Sequence, residues 1–164
     1  MSSFPGPTSW SPTPSEGATQ VLERDAFYAG AVAGATALVV EDDVSSALAL
    51  KALLERGRLS VVAANTGFVA LDALDERRDI GIVLMDIGMP VMDGYQTIAA
   101  IRGHPRHVAL PIIAVTGFGA SERARCFAAG ASGFVRKPID TSQLLAAIGM
   151  LLGSPHDGAE QLWL

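Results

Sequence analysis

From about Ala37 onward, short apolar runs alternate with longer amphipathic stretches five times in succession. The short runs cover residues 37–40, 59–63, 80–85, 112–115 and 133–135 and are mostly rich in Val, Ile or Leu. Runs of this length without polar alternation predict strands covered on both faces. The stretches between them have helical spacing. Leu144, Leu145, Ile148, Leu151 and Leu152 form one apolar stripe, and Ala124, Phe127, Ala128 and Ala131 form another. Asp93 with Gln96, and Asp140 with Gln143, have capping-box spacing, while Gly57 and Gly130 stand where C′ glycines end helices. Five βα units imply an α/β fold with a parallel sheet and helices on both faces, because right-handed crossovers leave few other topologies.

The flanks break this pattern. Residues 1–20 hold four prolines and five serines with no hydrophobic period, which predicts an extended or flexible leader, Phe4 and Trp10 being incidental aromatics. Residues 21–35 are compatible with a short helix packed on the domain or with a linker stub. No output domain is expected after Leu152, where twelve residues follow.

Composition narrows the function classes. At 164 residues, 49% hydrophobic and 18% charged, the chain has one domain's worth of core. A net charge of −5 and a pI near 5.1 argue against a dedicated nucleic-acid or anionic-membrane surface. The one cysteine, Cys126, excludes an intrachain disulfide and fits a reducing cytoplasm. The uncharged run 26–40 is too short to span a bilayer, and no basic residue precedes Arg24, so neither membrane insertion nor a signal peptide is expected.

Ligands of such sheets bind beyond the carboxyl ends of the strands. There this chain places Glu41, Asp42 and Asp43 after the first strand, Asp86 after the third, Thr116 after the fourth and Lys137 after the fifth. Each alone reads as a cap or turn residue; Asp42 or Asp43, for instance, suits the start of the helix at Val44. Together they converge on one crevice. Neighbouring carboxylates repel unless a cation joins them, and oxygen donors without a His or Cys cluster suit Mg²⁺ or Mn²⁺. His104, His107 and His156 are poorly placed as ligands, Pro105 interrupting any helical His pair. A hard cation beside a carboxylate, a hydroxyl and an ammonium suits phosphoryl chemistry, with Asp86 as nucleophile and an acyl phosphate as product.

The stretches LVVEDD (38–43), IVLMDIGMPVMDGYQTIAAIR (82–102), LPIIAVTG (110–117) and AAGASGFVRKPID (128–140) run in the order seen in receiver domains of two-component response regulators. The chain resembles that family over residues 36–152, with 1–35 as leader and 153–164 as tail. The resemblance implies a doubly wound, flavodoxin-like five-stranded sheet of order 2-1-3-4-5. It implies Asp86 as phosphoacceptor, Glu41 and Asp42 as the acid pair with Asp42 the direct Mg²⁺ ligand, Asp43 as a helix cap, and the Gly88 carbonyl as a further metal ligand. It further implies Thr116 and Lys137 as phosphoryl-binding groups, Phe134 as the switch aromatic partnering Thr116, and a cis Lys137–Pro138 bond. The donor would be a histidine kinase or a histidine phosphotransfer domain. The readout would be the face formed by the fourth helix, fifth strand and fifth helix, and the partner on that face is unspecified. The chain is then a phosphoacceptor signalling domain rather than a turnover enzyme, either standing alone or belonging to a hybrid histidine kinase, which LPIIAVTG and KPID favour. Phe118 predicts slow autodephosphorylation by limiting water access.

Two other classes fit less well. A Mg²⁺-dependent phosphohydrolase of the haloacid-dehalogenase type needs its nucleophile after the first strand with a second Asp two residues on, and Glu41-Asp42-Asp43 does not supply that pattern. A flavin-binding module needs a phosphate loop where this chain has three acids.

Overall fold

The computed structural model describes residues 30, 32–117 and 119–153. Residues 1–29, Ala31, Phe118 and residues 154–164, with His156, lie outside the described residues, as do the expectations attached to them. The chain forms β1 (Thr36–Val40), α1 (Val44–Arg56), β2 (Ser60–Ala64), α2 (Gly67–Glu76), β3 (Ile80–Asp86) and α3 (Gly94–Gly103). A 3₁₀ turn (Pro105–His107) leads to β4 (Ile112–Thr116), α4 (Ala120–Ala129), β5 (Gly133–Arg136) and α5 (Thr141–Gly153). All strand pairings are parallel, in the order β2-β1-β3-β4-β5. The expected sheet is therefore the observed one, and each predicted strand lies within a residue or so of its place.

Successive side chains of a strand point to opposite faces, and here each face meets its own helices. Leu38, Val40, Val83, Met85, Ile112, Ala114 and Phe134 pack with Leu74, Ile98, Ile101 and Cys126 from α2, α3 and α4. Ala37, Val39, Ile82, Leu84, Ile113, Val115 and Val135 pack with Leu50, Leu54, Leu144 and Ile148 from α1 and α5. This double burial is why the strands read as unbroken apolar runs. Val32, 1% exposed, joins the second core, and the Gly34 N–H donates to the Arg58 carbonyl at 3.0 Å, so the segment just before β1 packs on the domain.

The helix starts are capped as their sequences suggest. Asp93 and Gln96 make a full capping box at 2.8 and 3.1 Å, Asp43 accepts from the Ser46 N–H at 2.7 Å, and Asp140 accepts from the Gln143 N–H at 2.9 Å. Thr66 caps α2, accepting from the Val69 N–H at 3.1 Å, a start the sequence pattern did not single out.

Two expectations are corrected. Gly130 does end α4 in the left-handed region at φ 113°, but Gly57 sits at φ −75° and Arg58 takes the positive φ of 65°. Glycine is needed at 57 for space, because a Cβ would lie 2.9 Å from Leu145 Cδ2 and 3.2 Å from the Leu54 carbonyl oxygen. In α4 the buried positions are Cys126 and, just beyond the helix, Ala131, while Ala124 and Ala128 face solvent. An alanine stripe carries too little apolar area to decide which way a helix turns.

Gly94 shapes the end of β3. Its N–H donates to the Ile87 carbonyl at 3.2 Å, and a Cβ there would lie 2.5 Å from the Asp86 carbonyl oxygen and 2.7 Å from Ile87 Cα. Gly94→Ala is expected to lower stability in urea by about 1–3 kcal/mol through overpacking. Gly103→Ala, where an added methyl meets nothing within 4 Å, leaves the midpoint unchanged or slightly raised. Equal losses in both would remove close approach as the cause.

At the other end of β3, Asp79 accepts from Arg77 Nε and Nη2 at 3.0 and 2.7 Å and from the Thr36 hydroxyl at 3.1 Å. These bonds, the Arg77 pair foremost, pull its carboxyl down to about 2. A depressed folded-state pKa contributes stability above the ordinary carboxylate value that is lost as pH falls toward 2. Asp79→Asn should lower stability at neutral pH and flatten the acid limb of the stability–pH curve between about pH 4 and 2, so that the variant and the parent chain converge near pH 2.

Candidate functional site

The parallel sheet brings five loops to one edge. β1 ends at Val40, and Glu41 follows with its N–H bonded to the Ala64 carbonyl of β2 at 3.0 Å, which turns its side chain into the crevice, 3% exposed. Its Oε1 accepts from the Asp43 N–H at 3.2 Å, and its Oε2 accepts from Lys137 Nζ at 3.0 Å. Asp42 is exposed at the rim. Asp43 is turned away to cap α1, and its carboxyl is held below the usual range chiefly by the Ser46 N–H.

Asp86 closes β3 and is 8% exposed. Its Oδ1 accepts from Lys137 Nζ at 3.3 Å and from the Gly88 N–H at 3.4 Å. Thr116, at the end of β4, is 1% exposed, and its carbonyl accepts from the Lys137 N–H at 2.8 Å, fixing the start of the loop after β5. The Lys137–Pro138 peptide is cis. Phe134 pairs with Ala114 in the β4–β5 register and is 6% exposed, its ring in the core under α2, α3 and α4.

Glu41, Asp42 and Asp86 each present a carboxylate oxygen within 4.8 Å of the others. Burial raises the Glu41 pKa, and the Asp86 charge adds to that, against the opposing hydrogen bonds from Lys137 and the Asp43 N–H. Burial works to lower the Lys137 pKa, yet the bond to Glu41 and the charges of Asp86 and Glu41 outweigh it, so the ammonium is held more firmly than in water. One ammonium against three carboxylates leaves two negative charges, which a divalent cation balances. An all-oxygen donor set with two near-buried carboxylates and one open one fits a hard ion that keeps some of its waters. The sequence-derived residues Glu41, Asp42, Asp86, Thr116 and Lys137 thus meet at one edge, with Gly88 beside Asp86 and Phe134 one layer below.

Two features of this edge escaped the sequence reading. Gly94, through its approach to Asp86, sets how the loop leaves β3; its only signal was the Asp-Gly pair at a helix start. Val91 in the same loop has φ 66° and is 95% exposed, a conformation that disfavours β-branched residues.

Residues 37–149 match the response regulator receiver domain family. The chain belongs to that family. The receiver is 36% identical over 130 residues to the response regulator protein FleR of Pseudomonas aeruginosa, covering 76% of this chain and 27% of FleR. It is 35% identical over 115 residues to the sensor histidine kinase GacS of Pseudomonas protegens, covering 68% of this chain and 12% of GacS. The chain therefore spans about a quarter and an eighth of these relatives. Among solved structures it resembles a putative response regulator from Chloroflexus aurantiacus, with TM-score 0.71, 28% identity, and 74% and 99% of the two chains covered. It also resembles the receiver domain of a sensor histidine kinase from Pseudomonas aeruginosa, with TM-score 0.69, 29% identity, and 74% and 100% covered. That receiver has a magnesium ion coordinated in its active-site cleft. The phosphohydrolase alternative finds no support in this family. No helix among the described residues is long and apolar enough to cross a membrane.

Lys137 is the only protein cation within bonding reach of Glu41 and Asp86 among the described residues. Lys137→Met should lower stability by about 1–3 kcal/mol in metal-free buffer, since it leaves two near-buried carboxylates unpaired. Millimolar Mg²⁺ should restore part of the loss in urea denaturation. An unchanged midpoint without metal would remove the ammonium as the pocket's counter-charge.

Proposed function

We propose that Asp86 is the phosphoacceptor of this receiver and takes its phosphoryl group from a histidine kinase or a histidine phosphotransfer domain. The observation that carries this reading is the pairing of a near-buried Asp86 carboxylate with Lys137 inside a three-carboxylate pocket at the carboxyl edge of the sheet. A carboxylate oxygen of Asp86 attacks phosphorus, the P–N bond of the phosphohistidine breaks, the imidazole leaves, and an acyl phosphate remains on Asp86. Lys137 neutralises the oxygens that gain charge, and the Thr116 hydroxyl donates to one of them. Glu41, Asp42, Asp86 and the Gly88 carbonyl hold Mg²⁺, with Mn²⁺ as a substitute. The bound ion supplies further neutralisation of the phosphoryl oxygens.

The product differs from the starting carboxylate by about −1.5 to −2 charges and three acceptor oxygens. Thr116, buried at the end of β4, and Phe134, buried on the adjacent β5, respond to that change, and the face of α4, β5 and α5 carries the response to a partner. Water attack on the acyl phosphate resets the domain, which is self-directed chemistry and not turnover of a substrate. We place the receiver in the cytoplasm with no direct nucleic-acid contact of its own, the role of its parent protein being that of a response regulator or a hybrid kinase.

Acetyl phosphate with Mg²⁺ should add one phosphoryl group per chain by intact mass and then stop. Asp86→Asn should abolish the addition, and Asp42→Asn should slow it at least tenfold with a raised Mg²⁺ requirement. Undiminished labelling of Asp86→Asn would overturn the assignment, and steady hydrolysis of a generic phosphate ester would overturn the non-enzyme reading.

A further inference from the structure

At the amino ends of the strands, opposite the acidic crevice, the receiver carries a cleft of about 490 Å³ between the end of α2, the start of β3 and the segment leading into β4. Leu74, Ile80, Leu110 and Pro111 give it an apolar floor. Arg77, Arg78, Arg106 and His107 give it a basic wall, in a protein whose net charge is −5. That volume suits a small organic ligand.

The charges can be assigned one by one. Arg77 is spent on Asp79 at 2.7 Å, and Arg106 on Asp75 at 3.0 Å. Arg78 makes no ion pair among the described residues and is exposed. Burial, with the nearby His104 and Arg106 charges, lowers the His107 pKa, so its imidazole is neutral. Its Nε2 is buried without a hydrogen-bond partner among the described residues. The excess charge of the cleft is therefore one guanidinium over an apolar floor, with a neutral imidazole alongside.

The His107–Leu110 side of the cleft is held by Arg102. Arg102 donates from Nη1 to the carbonyls of His107 and Leu110 at 2.9 and 2.7 Å, and from Nε to the Gly130 carbonyl at 2.8 Å. The 3₁₀ turn that forms one side of the cleft is thereby tied to the end of α4. That side of the cleft does not have to be ordered on binding, so the ordering cost falls on the exposed Arg78 side chain.

We propose that this cleft is a binding site for a small monoanion with an apolar body, its carboxylate paired with Arg78 and its hydrocarbon part over Ala109 and Leu110, the apolar lining residues that keep accessible surface. A guanidinium fork matches a carboxylate in geometry as well as charge, and one unpaired cation selects one negative charge. The site is independent of the phosphoacceptor chemistry at the opposite edge of the sheet.

Hexanoate, titrated into ¹⁵N-labelled protein to about 20 mM, is the probe, since single-contact sites of this kind bind in the millimolar range. Amide shifts should be confined to Arg78, Gly81, Ala109 and Leu110 and their neighbours. Arg78→Gln should weaken binding at least fivefold, and hexanol, the neutral counterpart, should bind at least fivefold more weakly than hexanoate. Acetate should fail to saturate the site for want of the apolar contact. The absence of shifts at these amides, equal binding of hexanol, or indifference to Arg78→Gln would each overturn the proposal.

Discussion

Two carboxylates, Glu41 and Asp86, are nearly sealed from water within reach of each other, and the organisation of this edge follows from that constraint. Unit charges about 4 Å apart near a protein surface interact by about 4 kcal/mol at an effective dielectric constant of 20. The pair is tolerable only with a cation between its members. Lys137 supplies it from 96 residues beyond Glu41 and 51 beyond Asp86. β5 is separated from β3 by β4, and adjacent strands lie about 4.8 Å apart, so only a long side chain on a well-placed loop reaches across. The bond from the Lys137 N–H to the Thr116 carbonyl is what places that loop.

The same constraint underlies the proposed use of the pocket for a metal and a phosphoryl group. The ammonium offsets one charge of three, and the remainder attracts a hard cation at the open Asp42 side. Thr116 and Phe134 are both buried close below, one at the strand end and one in the core, so a change of charge at Asp86 meets packed side chains and not solvent. Packed interiors respond to such a change by discrete repacking. Arg102, with its guanidinium on the 3₁₀ turn, Gly130 and Ser132, joins α3 to the end of α4 far from the site.

The strands and their order were legible because both faces of the sheet are covered, which leaves apolar runs unlike anything a surface segment shows. Capping was legible at Asp93 and Asp140 because a cap is a local bond between residues three apart. The orientation of α4 was not, since its alanines carry almost no directional preference and Cys126 is the residue that docks. Gly57 was misread for a related reason: a glycine after a helix signals either a left-handed backbone or a lack of room, and here Leu145, far away in the chain, decided for the second.

Residue types and their positions after the strands were enough to nominate Glu41, Asp42, Asp86, Thr116 and Lys137, because a parallel sheet delivers every strand's carboxyl end to one edge. Which acid turns inward was a matter of folding. Asp43 is drawn off by the N–H groups at the start of α1, Glu41 is held by Lys137, and Asp42 is left at the rim. Likewise, no local pattern marks Val91 for a positive φ, or Arg78 as the uncommitted arginine of three, because both depend on which distant groups have already claimed their neighbours. Periodicity and capping are short-range properties carried by the order of residues; charge balance and close approach are set only when segments dozens of residues apart are brought into contact.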